Sequence, residues 1–94
     1  MNVTVRLPHI LRSAMGGQEV VALMLPESAT FGQMLDFLCA PHNGVRQRLI
    51  KDDGQPNRFV LFFIDEVDIR HLQNLASPLH EGADVSIVPA IAGG

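Results

Sequence analysis

Hydrophobic and polar residues alternate at the start of the chain. Val3, Val5 and Leu7 fall on one side of an extended segment, and the polar residues between them fall on the other, which is typical of a half-buried strand. After an irregular stretch, the glycines at 16–17 supply a turn. Residues 19–25 are rich in valine and predict a second strand. The two strands are expected to pair as an amino-terminal hairpin.

A helical pattern follows the hairpin. Thr30 and Gln33 have the spacing of a capping box, and apolar residues then recur at helical intervals until Pro41. These apolar residues are Met34, Leu35, Leu38 and Cys39. The pattern predicts one amphipathic helix of about three turns, and residues 44–50 are expected to add a short helical turn.

The second half of the chain returns to strand patterns. Residues 58–64 are the most strand-like run, and Asp65-Glu66 permit a tight reversal into a short partner strand at 67–70. Residues 84–88 form the last predicted strand, which Pro89 ends.

The order of these elements is strand, strand, helix, strand, short strand, strand. In so short a chain, this order favours an α+β fold with a single mixed sheet of four to five strands and one main helix across one face. In such a β-grasp arrangement, the first and last strands lie side by side in the middle of the sheet. We therefore predict a β-grasp domain at residues 1–89 and a flexible carboxyl-terminal tail at 90–94.

Composition restricts the function. Ninety-four residues with 47% hydrophobic and 18% charged positions are expected to form one folded domain with little room for a substrate cavity, so an autonomous enzyme is disfavoured. A formal charge of −3 disfavours nucleic acid as a partner. A single cysteine, an amino end without a secretion pattern, and no apolar run of ~20 residues predict a cytoplasmic protein without a membrane partner.

The carboxyl end has an unusual composition. The run from Pro89 ends in Gly93-Gly94, two residues that have no Cβ and therefore form a thin backbone thread. A chain end this thin can enter the closed channel of a partner enzyme. A carboxylate is a poor electrophile until its oxygen is converted into a leaving group, so the expected role is that of a carrier activated with ATP by a partner. The alternative is a frayed terminus or a cloning remnant.

These features together resemble the MoaD/ThiS family of sulfur-carrier proteins, which have a ubiquitin-like β-grasp fold, and most of all its CysO branch. The resemblance covers nearly the whole chain. Its most specific part is the combination of the tail with Arg58-Phe59-Val60. The other matching stretches are residues 1–5, 10–12, 16–18, 65–66 and 68–70.

The resemblance implies that Gly94 is adenylated by a ubiquitin-activating-enzyme-like protein that uses ATP and magnesium, and is then converted to a thiocarboxylate. Ile91, Ala92 and Gly93 would form the tail that enters the partner, and the chain itself would bind no cofactor and contain no catalytic residue. In the CysO branch, a cysteine synthase would accept the sulfur and a metalloprotease would release the product. The acceptor is a molybdopterin precursor in the MoaD branch and the thiamin thiazole in the ThiS branch. A ubiquitin-like modifier joined through Gly94 to lysines is a further alternative. Two others are the small subunit of a stable synthase complex and a plain interaction module for which the tail is irrelevant.

Both faces of the strand from Phe59 to Ile64 are apolar, whereas only one can lie under the single helix. We expect Val60, Phe62 and Ile64 to face the core. The other face is expected to form an exposed patch that docks a partner beside the tail. We call it the outer patch, and it consists of Phe59, Leu61 and Phe63. The alternative is that the loop at 51–57 or a second copy of the chain covers it.

Other candidate groups are given structural roles. The four histidines show no metal-ligand spacing, so no metal site is predicted. Turn chemistry accounts for Asp65, Glu66 and Asp68. Cys39 lies on the apolar stripe and is expected to be a small buried hydrophobe.

Overall fold

The computed structural model describes residues 1–90. Within them there are five strands and three α-helices. The strands are Asn2–Arg6 (β1), Val20–Met24 (β2), Val60–Ile64 (β3), Val67–Asp68 (β4) and Ala83–Pro89 (β5). The helices are His9–Arg12 (α1), Phe31–Cys39 (α2) and Val45–Leu49 (α3). The predictions made for Ile91, Ala92, Gly93 and Gly94 fall outside the described residues.

The strands form one mixed sheet in the order β2-β1-β5-β3-β4. β1 and β2 pair antiparallel, with Thr4 opposite Ala22, which confirms the predicted hairpin. β1 also pairs in parallel with β5, with Val5 opposite Val85, so the first and last strands lie side by side at the centre. This is the β-grasp topology that the element order predicts. β5 continues antiparallel to β3, and its carboxyl end therefore lies beside the start of β3.

α2 packs on one face of the sheet and begins with the predicted capping box. The Thr30 side chain accepts a hydrogen bond from the Gln33 backbone N–H, and the Gln33 side chain accepts one from the Thr30 N–H. All four predicted helix residues of the apolar stripe are buried. The Phe31 ring meets Phe62 of β3 at a centroid distance of 5.2 Å and a tilt of 55°, which joins helix and sheet.

The stretch after β1 is helical, so the expectation of an irregular segment is wrong. α1 is followed by a 3-10 turn at Ser13–Met15. Leu11 and Met15 are both buried, and their spacing of four residues places them on one helical face. The segment is too short for helical periodicity to stand out in the sequence, and burial of these two side chains against the sheet stabilises it.

The short fourth strand is shorter than predicted. β4 ends at Asp68, and Ile69–His71 form a 3-10 turn instead of continuing to residue 70 as a strand. The Asp68 carboxylate accepts a hydrogen bond from the Arg70 backbone N–H at 2.9 Å and also binds the Arg70 guanidinium. This local capping competes with strand pairing and ends the strand.

Across residues 1–90, no helix combines the length and the apolar character that crossing a bilayer requires.

Candidate functional site

The side chains of β3 alternate between the core and the opposite face of the sheet. Val60, Phe62 and Ile64 are buried, as the sequence predicts, because they lie under α2. Leu61 and Phe63 point to the outer face and are half-buried. Phe59, just before the strand, leaves 44% of its surface exposed. The three residues of the outer patch thus lie in a row along β3, on the face of the sheet away from α2.

The outer patch lies directly beside the last described residue of the chain. Ala90 donates a backbone hydrogen bond to the Phe59 carbonyl at 2.9 Å, so strand-like pairing continues past the end of β5. Leu61 pairs with Val88, and directly paired residues share a face of the sheet. Val88, which sequence reasoning did not assign to the patch, therefore extends it. Only the register of β3 on β5 reveals this neighbour.

The loop that precedes β3 folds back onto the end of α3. Asn57 donates a backbone hydrogen bond to Leu49 at 2.8 Å, Lys51 donates one to Gln55 at 2.8 Å, and an isolated bridge joins Ile50 to Pro56. These bonds fold the loop back onto the end of α3. Within a single chain, the loop therefore leaves Phe59 exposed instead of covering it.

The middle of the outer face is polar, which limits the outer patch on one side. Arg6 on β1 forms an ion pair with Asp84 on β5, with 3.1 Å between Nε and Oδ1. Thr4 lies next to this pair on the same face. Among the described residues, the apolar side chains of the outer face therefore lie on the β3 side of the sheet and on β2.

The acidic residues of the β3–β4 turn have structural partners. Asp65 and Glu66 both have positive φ angles, of 49° and 71°, as a two-residue hairpin turn requires. The Asp65 carboxylate accepts a hydrogen bond from the Asp84 backbone N–H at 2.9 Å and contacts the His80 ring. These residues follow β3 at the end away from Phe59 and Ala90. Their hydrogen bonds stabilise the turn.

The Asp65–His80 contact changes the pKa of both groups. Two hydrogen bonds lower the pKa of Asp65. The one from the Asp84 N–H has the larger effect and the one from His80 the smaller. The hydrogen bond to Asp65 is the largest cause that raises the pKa of His80. The second is the hydrogen bond to the Glu81 carbonyl, 2.9 Å from Nδ1. Both shifts favour the charged forms, so the pair is an imidazolium and a carboxylate in weakly acidic solution.

We expect His80→Gln to lower the melting temperature most between about pH 4 and 6.5. His80 stabilises the fold in full below its ordinary pKa of 6.5, and this contribution is lost as pH rises through its raised folded value. Asp65 contributes above its ordinary pKa of 3.8 and loses this as pH falls through its lowered folded value. Thermal unfolding from pH 3 to pH 9 measures the difference, with His9→Gln as the matched control. A difference that does not vary with pH would contradict the ion pair.

Cys39 and the histidines do not form a reactive centre. Burial raises the pKa of the Cys39 thiol to about 11, which keeps it protonated and unreactive at neutral pH. Among residues 1–90, no group of three or more His, Cys, Asp or Glu side chains lies close enough to share a metal ion.

The topology and the outer patch define the class of the protein. A five-stranded mixed sheet with central β1 and β5, one main helix on one face and a last strand that ends beside an exposed apolar patch is a ubiquitin-like β-grasp fold. The ThiS family model matches residues 5–94. The chain belongs to the ThiS family. Small carriers of this class are generally not enzymes themselves.

Individual relatives match over most of the chain. The sulfur carrier protein CysO of Mycobacterium tuberculosis is 38% identical over 96 residues, covering 100% of both chains. Small archaeal modifier protein 3 of Haloferax volcanii is 33% identical over 78 residues, covering 83% of this chain and 84% of the relative. The crystal structure of the Amycolatopsis orientalis BexX/CysO complex matches with a TM-score of 0.83 and 33% identity, covering 98% of this chain and 99% of the matched chain.

Proposed function

We propose that this protein is a sulfur carrier whose terminal residue, Gly94, is activated and converted to a thiocarboxylate by a partner enzyme. The observation that carries this proposal is the exit of the last strand beside the outer patch, where Ala90 is hydrogen bonded to Phe59. Four residues follow Ala90 in the sequence, and fully extended they span about 13 Å. A partner that binds the patch thus lies within reach of the terminal carboxylate.

The chemistry requires two steps on the partner. The Gly94 carboxylate attacks the α-phosphate of ATP and displaces pyrophosphate, which gives an acyl adenylate, with magnesium on the partner neutralising the phosphates. Hydrosulfide from a sulfide donor then displaces AMP at the acyl carbon. The C–O bond to AMP breaks as the C–S bond forms, which leaves a thiocarboxylate on Gly94. Neither step requires a side chain of the carrier.

Gly93 and the tail residues Ile91 and Ala92 are proposed to occupy the partner's channel. The small side chains at residues 92–94 let the thread approach a nucleotide closely, and Ile91 is the one bulky side chain that anchors it. The outer patch would dock on a ubiquitin-activating-enzyme-like protein, because exposed aromatic surface of this kind usually marks an interaction site.

For the sulfur acceptor, we propose an activated serine on a cysteine synthase-like enzyme, followed by release of the product by a metalloprotease. Full-length similarity to CysO proteins supports this branch, and the BexX/CysO complex is a case in which a relative is found together with a different protein. A MoaD-like role as the small subunit of molybdopterin synthase and a ThiS-like role in thiamin synthesis are the alternatives. We place the cycle in the cytoplasm.

Similarity to small archaeal modifier protein 3 favours a second candidate function, attachment of Gly94 to lysine amines of target proteins. The two functions leave different products. The deciding experiment incubates the full chain with its activating enzyme, ATP, magnesium and a sulfide donor, followed by intact-mass spectrometry. A sulfur carrier exchanges one oxygen for sulfur, whereas a modifier yields lysine-linked conjugates of higher mass.

Lys51 provides a control for that experiment, because it is the only lysine in the chain. Lys51→Arg removes every lysine through which the protein can be joined to itself. We expect the variant to acquire sulfur at the same rate as the unmodified chain. A product that disappears in Lys51→Arg would instead identify self-conjugation. The carrier function would be contradicted if the chain were adenylated but acquired no sulfur.

A further inference from the structure

The two edges of the sheet differ in how they are protected. At one edge, β4 is only two residues long. At the other, β2 presents five residues in continuous register with β1 and no bulge. Proteins normally protect an edge strand with a charge, a proline, a bulge or short length. The β2 sequence Val-Val-Ala-Leu-Met contains none of these.

Among residues 1–90, no strand pairs with the outer edge of β2, so its outward backbone groups have no strand partner there. Leu7 donates a hydrogen bond to Glu19, and Leu25 donates one to Met1, both at 2.8 Å. These bonds show that the backbone groups of the odd-numbered residues in this segment face β1. Because the bonding direction alternates along an antiparallel strand, the N–H and C=O groups of the even-numbered residues face away from the sheet. These residues are Val20, Ala22 and Met24.

The side chains along this edge are apolar on both faces. Val20 is 45% exposed and Met24 is 71% exposed on the outer face of the sheet, with Ala22 exposed between them. Val21 and Leu23, on the helix side, are only half-buried. Ordinary packing within one chain thus leaves β2 partly uncovered on either side.

We propose that two copies of this chain associate through their β2 strands, antiparallel and centred on Ala22, so that their sheets become continuous. In this register, Ala22 lies opposite Ala22 of the second copy, and Val20 lies opposite Met24 of the second copy. All outward N–H and C=O groups of β2 then acquire partners, which any register shifted by one residue prevents. Apolar side chains meet apolar side chains on both faces, as a two-fold interface requires of a self-complementary strand.

The flanking charges are compatible with this register. Glu19 lies opposite Leu25 of the second copy, so the two Glu19 carboxylates are not placed face to face. Within its own chain, Glu19 is already paired with Arg12, at 3.1 Å. Like charges directly across a strand pair would destabilise it, and the alignment avoids them.

The contact is small, and the dimer is therefore transient. Five strand residues from each copy compare with about 20–30 residues per side in a standard stable interface. β1 and β5 separate β2 from the outer patch on β3, so the dimer leaves the patch and Ala90 free to meet a partner. This inference goes beyond the carrier function and does not depend on it.

Sedimentation velocity of the full chain, without partner or ATP, tests the dimer. Between about 10 µM and about 1 mM, we expect the sedimentation coefficient to rise toward that of a dimer. Ala22→Lys places two ammonium groups face to face at the two-fold axis and is expected to remain monomeric, as is Ala22→Glu. An equal mixture of the two variants is expected to dimerise again, because the opposed charges then attract.

Phe37→Lys is the matched control, because Phe37 is an exposed apolar residue on α2, and this variant is expected to dimerise normally. Circular dichroism verifies that each variant is folded, and Met24→Lys replaces Ala22→Lys if the latter does not fold. A monomer at every concentration overturns the proposal, as does a dimer that persists in folded Ala22→Lys or is lost in folded Phe37→Lys. Each outcome leaves the sulfur-transfer assay unaffected, so the two proposals fail separately.

Discussion

Deletion of Gly93 and Gly94 is expected to reduce thiocarboxylate formation to background while leaving the fold unchanged. The deletion shortens an extended chain by about 7 Å, and a displacement of about 1 Å from the reacting geometry already lowers a rate by ~100-fold. The acyl carbon of the new terminus therefore cannot reach the nucleotide in the partner's channel. Intact-mass spectrometry after incubation with the activating enzyme, ATP and a sulfide donor measures the loss.

The control for the deletion separates activation from stability and docking. Thermal unfolding of the truncated chain should match that of the full chain, because the described fold is complete by Ala90, which is bonded to Phe59. The truncated chain should also still compete with the full chain for the activating enzyme, because it retains the outer patch. Sulfur incorporation by the truncated chain at the normal rate would show that Gly94 is not the functional residue.

Phe63→Asp is expected to lower kcat/KM for adenylation by at least ~30-fold, which corresponds to a loss of ~2 kcal/mol from a buried aromatic contact in an interface. Phe63 points to the outer face and is only half-buried in the free chain. A charge there keeps part of its water in the free protein, next to Asp68 on β4, but must lose it against an apolar partner. ATP–pyrophosphate exchange with the activating enzyme measures the effect, and circular dichroism verifies the fold.

Two further variants serve as comparisons for Phe63→Asp. Phe62→Ala, one residue earlier, removes a ring packed on Phe31 and is expected to cost about 3–5 kcal/mol of unfolding free energy. Phe37→Asp introduces the same charge on α2 and should leave the exchange rate unchanged. Global unfolding of Phe63→Asp would place Phe63 in the core, and an unchanged exchange rate would contradict docking through the outer patch.

Local patterns along the chain are sufficient for most of the secondary structure. The capping box at Thr30 and Gln33 forms as predicted, because its two hydrogen bonds depend only on residues three apart. The alternation in β3 correctly assigns Val60 and Phe62 to the core. The sequence predictions fail where a competing local hydrogen bond or a contact between distant residues determines the structure. The Asp68 side chain captures the Arg70 backbone and ends β4 early, and α1 exists because Leu11 and Met15 pack against the sheet.

Some features of the candidate site could likewise be predicted from the sequence, and others could not. The sequence alone determined the apolar face of Phe59, Leu61 and Phe63, because alternation assigns residues to faces without knowledge of the fold. It also determined the glycine end that carries the proposed chemistry.

Only the tertiary structure decided which residues become neighbours. Val88 joins the outer patch through the register of β5 on β3, and Ala90 comes to lie beside Phe59 for the same reason. Likewise, β2 is an edge strand because β1 is its one neighbour in the described sheet, and β1 has β5 on its opposite side. Strand order and register arise from contacts between residues far apart in the chain, and no short-range pattern encodes those contacts.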